Sequence, residues 1–365
     1  MEFNAYESFH KVIRFERCVP PRWDALGFWS STVARWRTEG LPEDQSPEQY
    51  FGITPRPGLP VVSGFCSNPY WPAFEEVTIE ETETARIWRD GQGILKRDRK
   101  DSVELSMPQF LEFPVKARCD WEEIKFRLDP SSPGRYPDWQ KMHEQFDNRE
   151  YPLGLYITGA YGFPRNLMGE ERLAYTYYDD PELIRDMEET WMRFYVELAE
   201  RVCRNFQVDY VMLWEDMAFK NGPLISPRMF KEFMSPYYKE VVGQFKRLHV
   251  PCVMVDSDGD NRPILDLFVE TGIDAFLPFE IAANMEPLEI REKYPNLVIM
   301  GGIDKRALAK DKAAIEHEVM RKAPKMLEVG GYIPGVDHSV PHDVPFENYA
   351  HYTELIRKIT AEYAE

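Results

Sequence analysis

The sequence predicts an α/β fold, a (β/α)8 barrel with an N-terminal extension carrying helices and a β-hairpin. Three observations lead there. From residue 153 onward, short apolar runs alternate with long amphipathic helices, the pattern of βαβ units around a parallel sheet. Six such runs follow residue 150 and one or two precede it, which suits an eight-stranded ring. The glycine fingerprint that opens a doubly wound sheet is missing after the first run. The 365 residues are 43% hydrophobic and 14% aromatic, which supports a large core and excludes a disordered chain.

The elements follow in order. Residues 1–150 read as an N-terminal extension plus the first barrel elements, part of the same domain as the main body at 151–365. Pro42, Pro47, Pro55, Pro57 and Pro60 punctuate a loop-rich stretch. Residues 77–96 predict an antiparallel ribbon, with Asp90-Gly91 as the turn and Gly93 allowing a longer loop. Asp120 reads as a helix cap, with Glu123 at the capping-box position. The strand-like runs are 153–158, 209–214, 252–255, 275–277, 297–300 and 332–336. After Asp180-Pro181, apolar residues from Leu183 to Val202 step by three or four, and Asp180 can cap the helix. After Ser226-Pro227, a second stripe runs from Phe230 to Leu248. A third runs from Leu308 to Leu327. All three read as core faces.

Charge and composition exclude several function classes. Lys and Arg number 44 against 62 Asp and Glu, giving a net charge of -18. Nucleic acid and anionic membrane surfaces need a basic footprint, so neither is an expected partner. No apolar run is long enough for a membrane helix, and the first residues lack a signal-peptide pattern. The five cysteines, Cys18, Cys66, Cys119, Cys203 and Cys252, are scattered and never form CxxC. A disulfide scaffold or thiolate zinc ribbon is not expected, and a cytoplasmic location is.

Chemistry in such a barrel gathers at the C-terminal strand ends. Those ends carry Trp214-Glu215-Asp216, then Asp256-Ser257-Asp258-Gly259-Asp260, Glu280, Asp304-Lys305 and Asp337-His338. The first run leads into Tyr161, Phe163 and Arg165. Glu215, Asp256, Asp258 and His338 are the expected catalytic residues. Tyr161, Phe163, Arg165, Trp214 and Glu280 are the expected substrate wall. Crowded carboxylates can hold one raised pKa for acid–base work. Alternatively, Asp256, Asp258, Glu280 and His338 can hold a divalent metal, zinc or another, through oxygen and imidazole. Asp260 reads as a turn or cap residue, and His249 and Cys252 lie at the opposite, structural end of the strands.

Four segments resemble the uroporphyrinogen decarboxylase superfamily: WEDMAFKNGPLISPRMFKEFMSPYYK at 214–239, GGIDKRAL at 301–308, GGYIPGVDHSVPHDVPFENY at 330–349, and YGFPRNLMG at 161–169 followed by DDPELIRDM at 179–187. The resemblance spans roughly 150–360. It implies a TIM barrel and two activities, decarboxylation of uroporphyrinogen without cofactor or methyl transfer involving a corrinoid protein. The decarboxylases carry an arginine-rich N-terminal clamp, and the corresponding stretch here, 23–29, offers none. His338 matches that family's histidine loop. The thiol-alkylating methyltransferases use a His-x-Cys pair and a later Cys, slots that here read Asp256-Ser257-Asp258 and Asp337-His338. The resemblance therefore implies, first, a methyltransferase moving a methyl group from a small donor such as a methoxyaromatic to a corrinoid on a separate partner protein. Its alternatives are a decarboxylase or other lyase needing no cofactor, and a non-catalytic ligand-binding barrel. A homodimer is also expected from it.

Overall fold

The computed structural model describes residues 4–23, 26–61, 68–100 and 108–364. Cys66, and Asp24 and Ala25 of the stretch compared with the arginine clamp, lie outside them. The extension holds helices α1 (Ala5–Val12), α2 (Ser30–Glu39) and α3 (Pro47–Phe51). Strands β1 (Val77–Glu81), β2 (Ala85–Arg89), β3 (Leu95–Arg99) and β4 (Gln109–Glu112) follow, then α4 (Arg118–Ile124) and α5 (Trp139–Phe146). The body begins with β5 (Gly154–Thr158), α6 (Gly162–Met168), α7 (Glu170–Asp179), α8 (Pro181–Asn205) and β6 (Tyr210–Trp214). A short ribbon, β7 (Ala218–Phe219) and β8 (Gly222–Pro223), precedes α9 (Pro227–Met229) and α10 (Ser235–Arg247). Then come β9 (Cys252–Asp256), α11 (Leu265–Glu270), β10 (Ala275–Leu277), α12 (Pro287–Lys293) and β11 (Val298–Ile303). Helices α13 (Lys305–Leu308) and α14 (Lys312–Val329), strand β12 (Tyr332–Val336) and helix α15 (Phe346–Ala364) complete the chain.

The six body strands are parallel and adjacent in the order β5-β6-β9-β10-β11-β12. Their register levels the C-terminal ends: Trp214 lies opposite Thr158 and Asp256, and Asp256 opposite Leu277. Two extended segments of the extension take the remaining places in the ring. Gly154 N–H donates to Pro57 O at 3.0 Å, and Leu59 N–H to Gly154 O at 2.9 Å. Thr54 N–H donates to Arg22 O at 2.8 Å, and Val340 N–H to Gly27 O at 2.8 Å. Close approach explains Gly335 on β12: a Cβ there would lie 2.5 Å from the Trp23 carbonyl. The architecture is a TIM barrel.

Strand alternation divides the core into two clusters. Tyr210, Cys252, Met254, Ala275, Leu277, Val298, Met300 and Ile333 face the lumen together with Trp23 and Phe9. Val211, Leu213, Val253, Val255, Phe276 and Ile299, one residue out of step, face the helical shell. The stripes of α8, α10 and α14 cover that shell side, as their spacing predicts. Asp180 caps α8 by accepting Leu183 N–H at 3.1 Å, and Ser226 caps α9 by accepting Met229 N–H at 3.2 Å. Among the described residues no helix is long and apolar enough to cross a membrane.

Two local expectations change. The ribbon is a four-stranded antiparallel sheet, since β1 and β4 flank the β2–β3 hairpin. Its turn spans 90–94, where Asp90 Oδ1 accepts both Gln92 and Ile94 N–H at 2.9 Å and Gly93 is left-handed at φ 86°. Asp120 is not a cap but sits inside the first turn of α4, accepting the N–H groups of Lys116 at 2.8 Å and Ala117 at 2.9 Å. The helix starts three residues earlier than the side-chain pattern suggests, with Ala117 at the cap position.

Helix α1 plugs the lower end of the barrel. Phe9 enters the lumen cluster, and His10 Nε2 lies 3.0 Å from Asp209 Oδ1. Asp209, fully buried at the start of β6, also takes Arg149 Nη2 at 2.8 Å and Leu153 N–H at 2.7 Å. Replacing Asp209 with Ala leaves Arg149 and His10 without their shared anion. Loss of one partner of such a buried pair costs about 3–5 kcal/mol. Equilibrium denaturation should show Asp209→Ala destabilised by that amount, whereas Asp147→Ala, on exposed α5 surface, should change stability by under ~1 kcal/mol.

Candidate active site

Alternation on β9 decides the first site residue. Cys252 and Met254 face the lumen, so Asp256 does too, at the upper rim. It is 4% exposed. Asp258 follows in the loop, and its Oδ2 lies 3.1 Å from His338 Nε2 in the loop after β12. Asp258 Oδ1 is buried without a hydrogen-bond partner. The mouth thus brings together Asp256, Asp258 and His338 from two strands that are not neighbours.

A ring of ion pairs and hydrogen bonds ties the loops around them. Glu280 Oε2 accepts Gly259 N–H at 3.0 Å, and its Oε1 takes Lys305 Nζ at 3.2 Å. Lys305 Nζ also lies 3.5 Å from Asp337 Oδ1. Fully buried Asp337 accepts Ile281 N–H and Lys305 N–H, both at 3.0 Å. Loops after β9, β10, β11 and β12 are therefore fastened in sequence. Gly259 is left-handed at φ 78°, and a Cβ there would lie 2.3 Å from the Ala218 carbonyl, so the β9 loop rests directly on the β7–β8 ribbon. On the other side, Arg165 of α6 grips both the carbonyl and the carboxylate of Asp216, the latter at 2.9 Å, and lies 4.6 Å over the Trp214 ring.

The electrostatics follow from burial and like charge. Asp256 is pushed well above the usual carboxylate range by burial first, then by the charges of Asp258 and Asp216, with Arg56 and His338 opposing. Both causes favour its protonated form over the carboxylate. Burial also raises Asp258, against the pull of His338. Burial opposes charge on His338, but its hydrogen bond to Asp258 and that residue's negative charge outweigh it, and the imidazole is raised.

Two expected residues do not join the mouth. Glu215 is one residue out of step with Trp214 and faces the helical shell. It is fully buried, its Oε2 accepts Tyr161 N–H at 2.8 Å and Gly162 N–H at 2.7 Å, and Tyr238 OH donates to Oε1. Phe163 is 1% exposed and packs edge-on against Trp121 at 6.0 Å, inside the core. Tyr161 is 2% exposed, and burial raises its phenol. Trp214, at 8%, keeps a partly open face under Arg165.

The sequence reading missed Asp216, Lys305, Asp337 and Arg56 as site residues. Asp216 shares the lumen parity of Trp214, which was a usable signal. Lys305 reads as a helix start, and Asp304 does cap α13 by accepting Arg306 N–H at 2.9 Å. Arg56 sits in a proline-rich stretch with no periodicity, yet lies 5.5 Å over Trp23 in the lumen.

Three of the four residues expected as metal ligands have partners among their neighbours. His338 and Asp258 bond each other, and Glu280 is shared between Gly259 and Lys305. Among the described residues no group of three or more His, Cys, Asp or Glu side chains is arranged to hold a metal ion. The set does not fit a zinc centre.

A family model for uroporphyrinogen decarboxylase (URO-D) matches residues 136–359. The chloroplastic uroporphyrinogen decarboxylase of Nicotiana tabacum is 24% identical over 219 residues, which are 58% of this chain and 51% of that protein. Uroporphyrinogen decarboxylase 2, chloroplastic, of Oryza sativa subsp. japonica is 22% identical over 231 residues, 60% of this chain and 55% of that protein. The chain spans about half the length of these relatives. A solved methyltransferase from Methanosarcina mazei covers 100% of both chains at 12% identity with a TM-score of 0.58, a likeness of fold.

The Asp258–His338 pair is directly measurable. The folded imidazole is raised above its ordinary value of 6.5. Its stabilising contribution is therefore complete below 6.5 and lost as pH rises through the folded value. A proton NMR titration should place His338 above 6.5 in the wild type. In Asp258→Asn the imidazole should titrate lower than in the wild type, because its hydrogen bond to a carboxylate and that carboxylate's charge are gone. An unmoved titration would mean the hydrogen bond does not control the imidazole.

Proposed function

The chain belongs to the uroporphyrinogen decarboxylase family, and from that premise we propose that it is an enzyme whose mouth delivers a proton to a departing heteroatom during methyl transfer. The donor is a small neutral or cationic methylated compound, such as a methoxyaromatic, and the acceptor is a corrinoid carried by a separate protein. The observation that carries this reading is the buried Asp256, held well above the usual carboxylate range, beside the hydrogen-bonded Asp258–His338 pair.

The residues' work follows from their placement. Trp214, with Arg165 above it, walls one side of the mouth and can receive an aromatic donor. Asp256 presents its proton to the ether oxygen. As the methyl–oxygen bond breaks, its electron pair stays on oxygen, and the proton from Asp256 completes the hydroxyl product. A corrinoid on the partner protein, when bound, would supply the Co(I) nucleophile that accepts the methyl group. The His338 imidazolium beside Asp258 then offsets the charge left on Asp256, which regains its proton from water. Donor, proton and nucleophile thereby give hydroxyl product and methylated acceptor in balance.

Family membership favours a second reading, decarboxylation of a porphyrinogen. The charges disfavour it. Lys305 is matched by Glu280 and Asp337, and Arg165 by Asp216. A substrate with eight carboxylates would meet Asp216, Asp256, Asp258 and Glu280 in one opening, and like-charge contacts cost several kcal/mol in specificity.

The test is anaerobic methylation of free Co(I) corrinoid with a panel of methoxyaromatics and methylamines, followed by absorbance. Wild-type turnover should fall ~10²–10⁴-fold in Asp256→Asn and at least ~10²-fold in His338→Ala. Full activity in Asp256→Asn would remove the acid assigned here. Loss of CO2 from uroporphyrinogen under the same conditions would instead establish the lyase.

A further inference from the structure

We infer that Glu215 is the positioning residue of the substrate wall, clasping the β5 loop to the end of β6 from behind the barrel. The inference rests on the acid-catalysed reading above, which treats that wall as the donor site. Three donors from two directions converge on this carboxylate. Tyr161 N–H and Gly162 N–H come from the β5 loop, and Tyr238 OH from α10. Its own N–H donates to the Asp256 carbonyl at 2.9 Å, so the same residue also fixes the end of β9. Gly159 is shaped to admit it, since a Cβ there would lie 2.2 Å from the Glu215 carboxyl carbon.

What the clasp holds is the wall itself. The β5 loop leads directly into α6, whose Arg165 grips Asp216 and covers Trp214. Trp214 and Asp216 flank Glu215 in sequence and face the lumen side. One buried residue thus braces both partners of the Arg165–Asp216 pair from the opposite face of the sheet. Displacements near 1 Å in such supports cost about 10²-fold in rate.

The surroundings keep the clasp intact. Glu188 of α8, Tyr177 of α7 and Tyr238 of α10 face it. Glu188 is fully buried with neither oxygen hydrogen-bonded. Burial first and the Glu215 charge second push Glu188 well above the usual carboxylate range, which favours its uncharged form beside Glu215. Burial raises Glu215 to about 7, with Tyr238 and the loop N–H groups working against that rise. A protonated Glu215 still has a carbonyl oxygen for both N–H groups, so the clasp needs an acceptor and not a charge. Glutamine satisfies the same requirement, accepting from the loop and donating to the Tyr238 oxygen.

The experiment compares wild type, Glu215→Gln, Glu215→Ala and Gly159→Ala as full chains. Amide hydrogen exchange of Tyr161 and Gly162 is read at one pH, with circular dichroism as the check of folding. Glu215→Gln should stay within ~3-fold of wild type. Glu215→Ala and Gly159→Ala should exchange at least ~10-fold faster. If Glu215→Ala does not fold, Gly159→Ala against Glu215→Gln carries the test. Unchanged protection in the folded Ala variants, or Glu215→Gln behaving like Glu215→Ala, would overturn the inference. This readout uses no substrate, so it stands even if the methyl-transfer reading fails. Where turnover is found, Glu215→Ala should raise KM as well as lower kcat, with Gln restoring both. A merely lower folded fraction would reduce kcat alone, and that result would also count against the positioning role.

Discussion

The two-residue alternation of the barrel strands is the constraint on which the rest depends. A strand in this ring has only two directions, toward the lumen or toward the helical shell. Tyr210, Met212 and Trp214 take the first on β6, while Val211 and Leu213 take the second. One step of register separates a group that can meet substrate from one that cannot. Asp256 falls on the lumen side because Cys252 and Met254 do. Glu215 falls on the shell side for the same reason, although it stands beside two mouth residues in the sequence. A slip of one residue would exchange these roles and bury the wrong face of every strand.

Charge is the second constraint. Five carboxylates, those of Asp216, Asp256, Asp258, Glu280 and Asp337, share one opening with Arg165, Lys305, Arg56 and His338. Two unit charges 4 Å apart near a protein surface interact by about 4 kcal/mol. Crowding of that size is relieved here in two ways. Pairing disposes of Glu280 and Asp337 against Lys305, and of Asp216 against Arg165. At Asp256 burial and the remaining like charges push the carboxyl well above its usual range, which favours the neutral acid. The same pairs that relieve this crowding also hold the loops together.

Much of this was legible in the sequence, and the limits have physical causes. The six body strands and the caps at Asp180 and Ser226 follow from apolar period and cap chemistry, which act locally. The two strands that close the ring do not. Residues 22, 23, 26–29 and 54–59 carry Pro55, Pro57 and too little alternation to announce themselves, and they are held by a handful of bonds to Gly154, Val340 and each other. At the site, Asp256, Asp258 and His338 were legible because strand ends collect chemistry. Glu215 and Phe163 were misplaced because composition at a strand end was read without parity. Arg56 gave no signal, since nothing local reveals that its segment lines the lumen.

That blind region has a consequence for the lumen. The family match begins at residue 136, so it covers the acid-bearing loops but only the last part of the extension. Yet the extension supplies the floor of the lumen through Phe9 and Trp23 and sets Arg56 against Asp256. Its hairpin turn reaches the mouth as well, where Asn166 of α6 donates to Gln92 at 3.2 Å. Groups at the strand ends and groups that line the lumen thus come from different parts of the chain. The ionisable loops belong to the body, while Phe9, Trp23 and Arg56 bring apolar surface and a positive charge from the extension. The shape and polarity of the lumen therefore depend on both parts, and a change in either alters the space that the strand ends enclose.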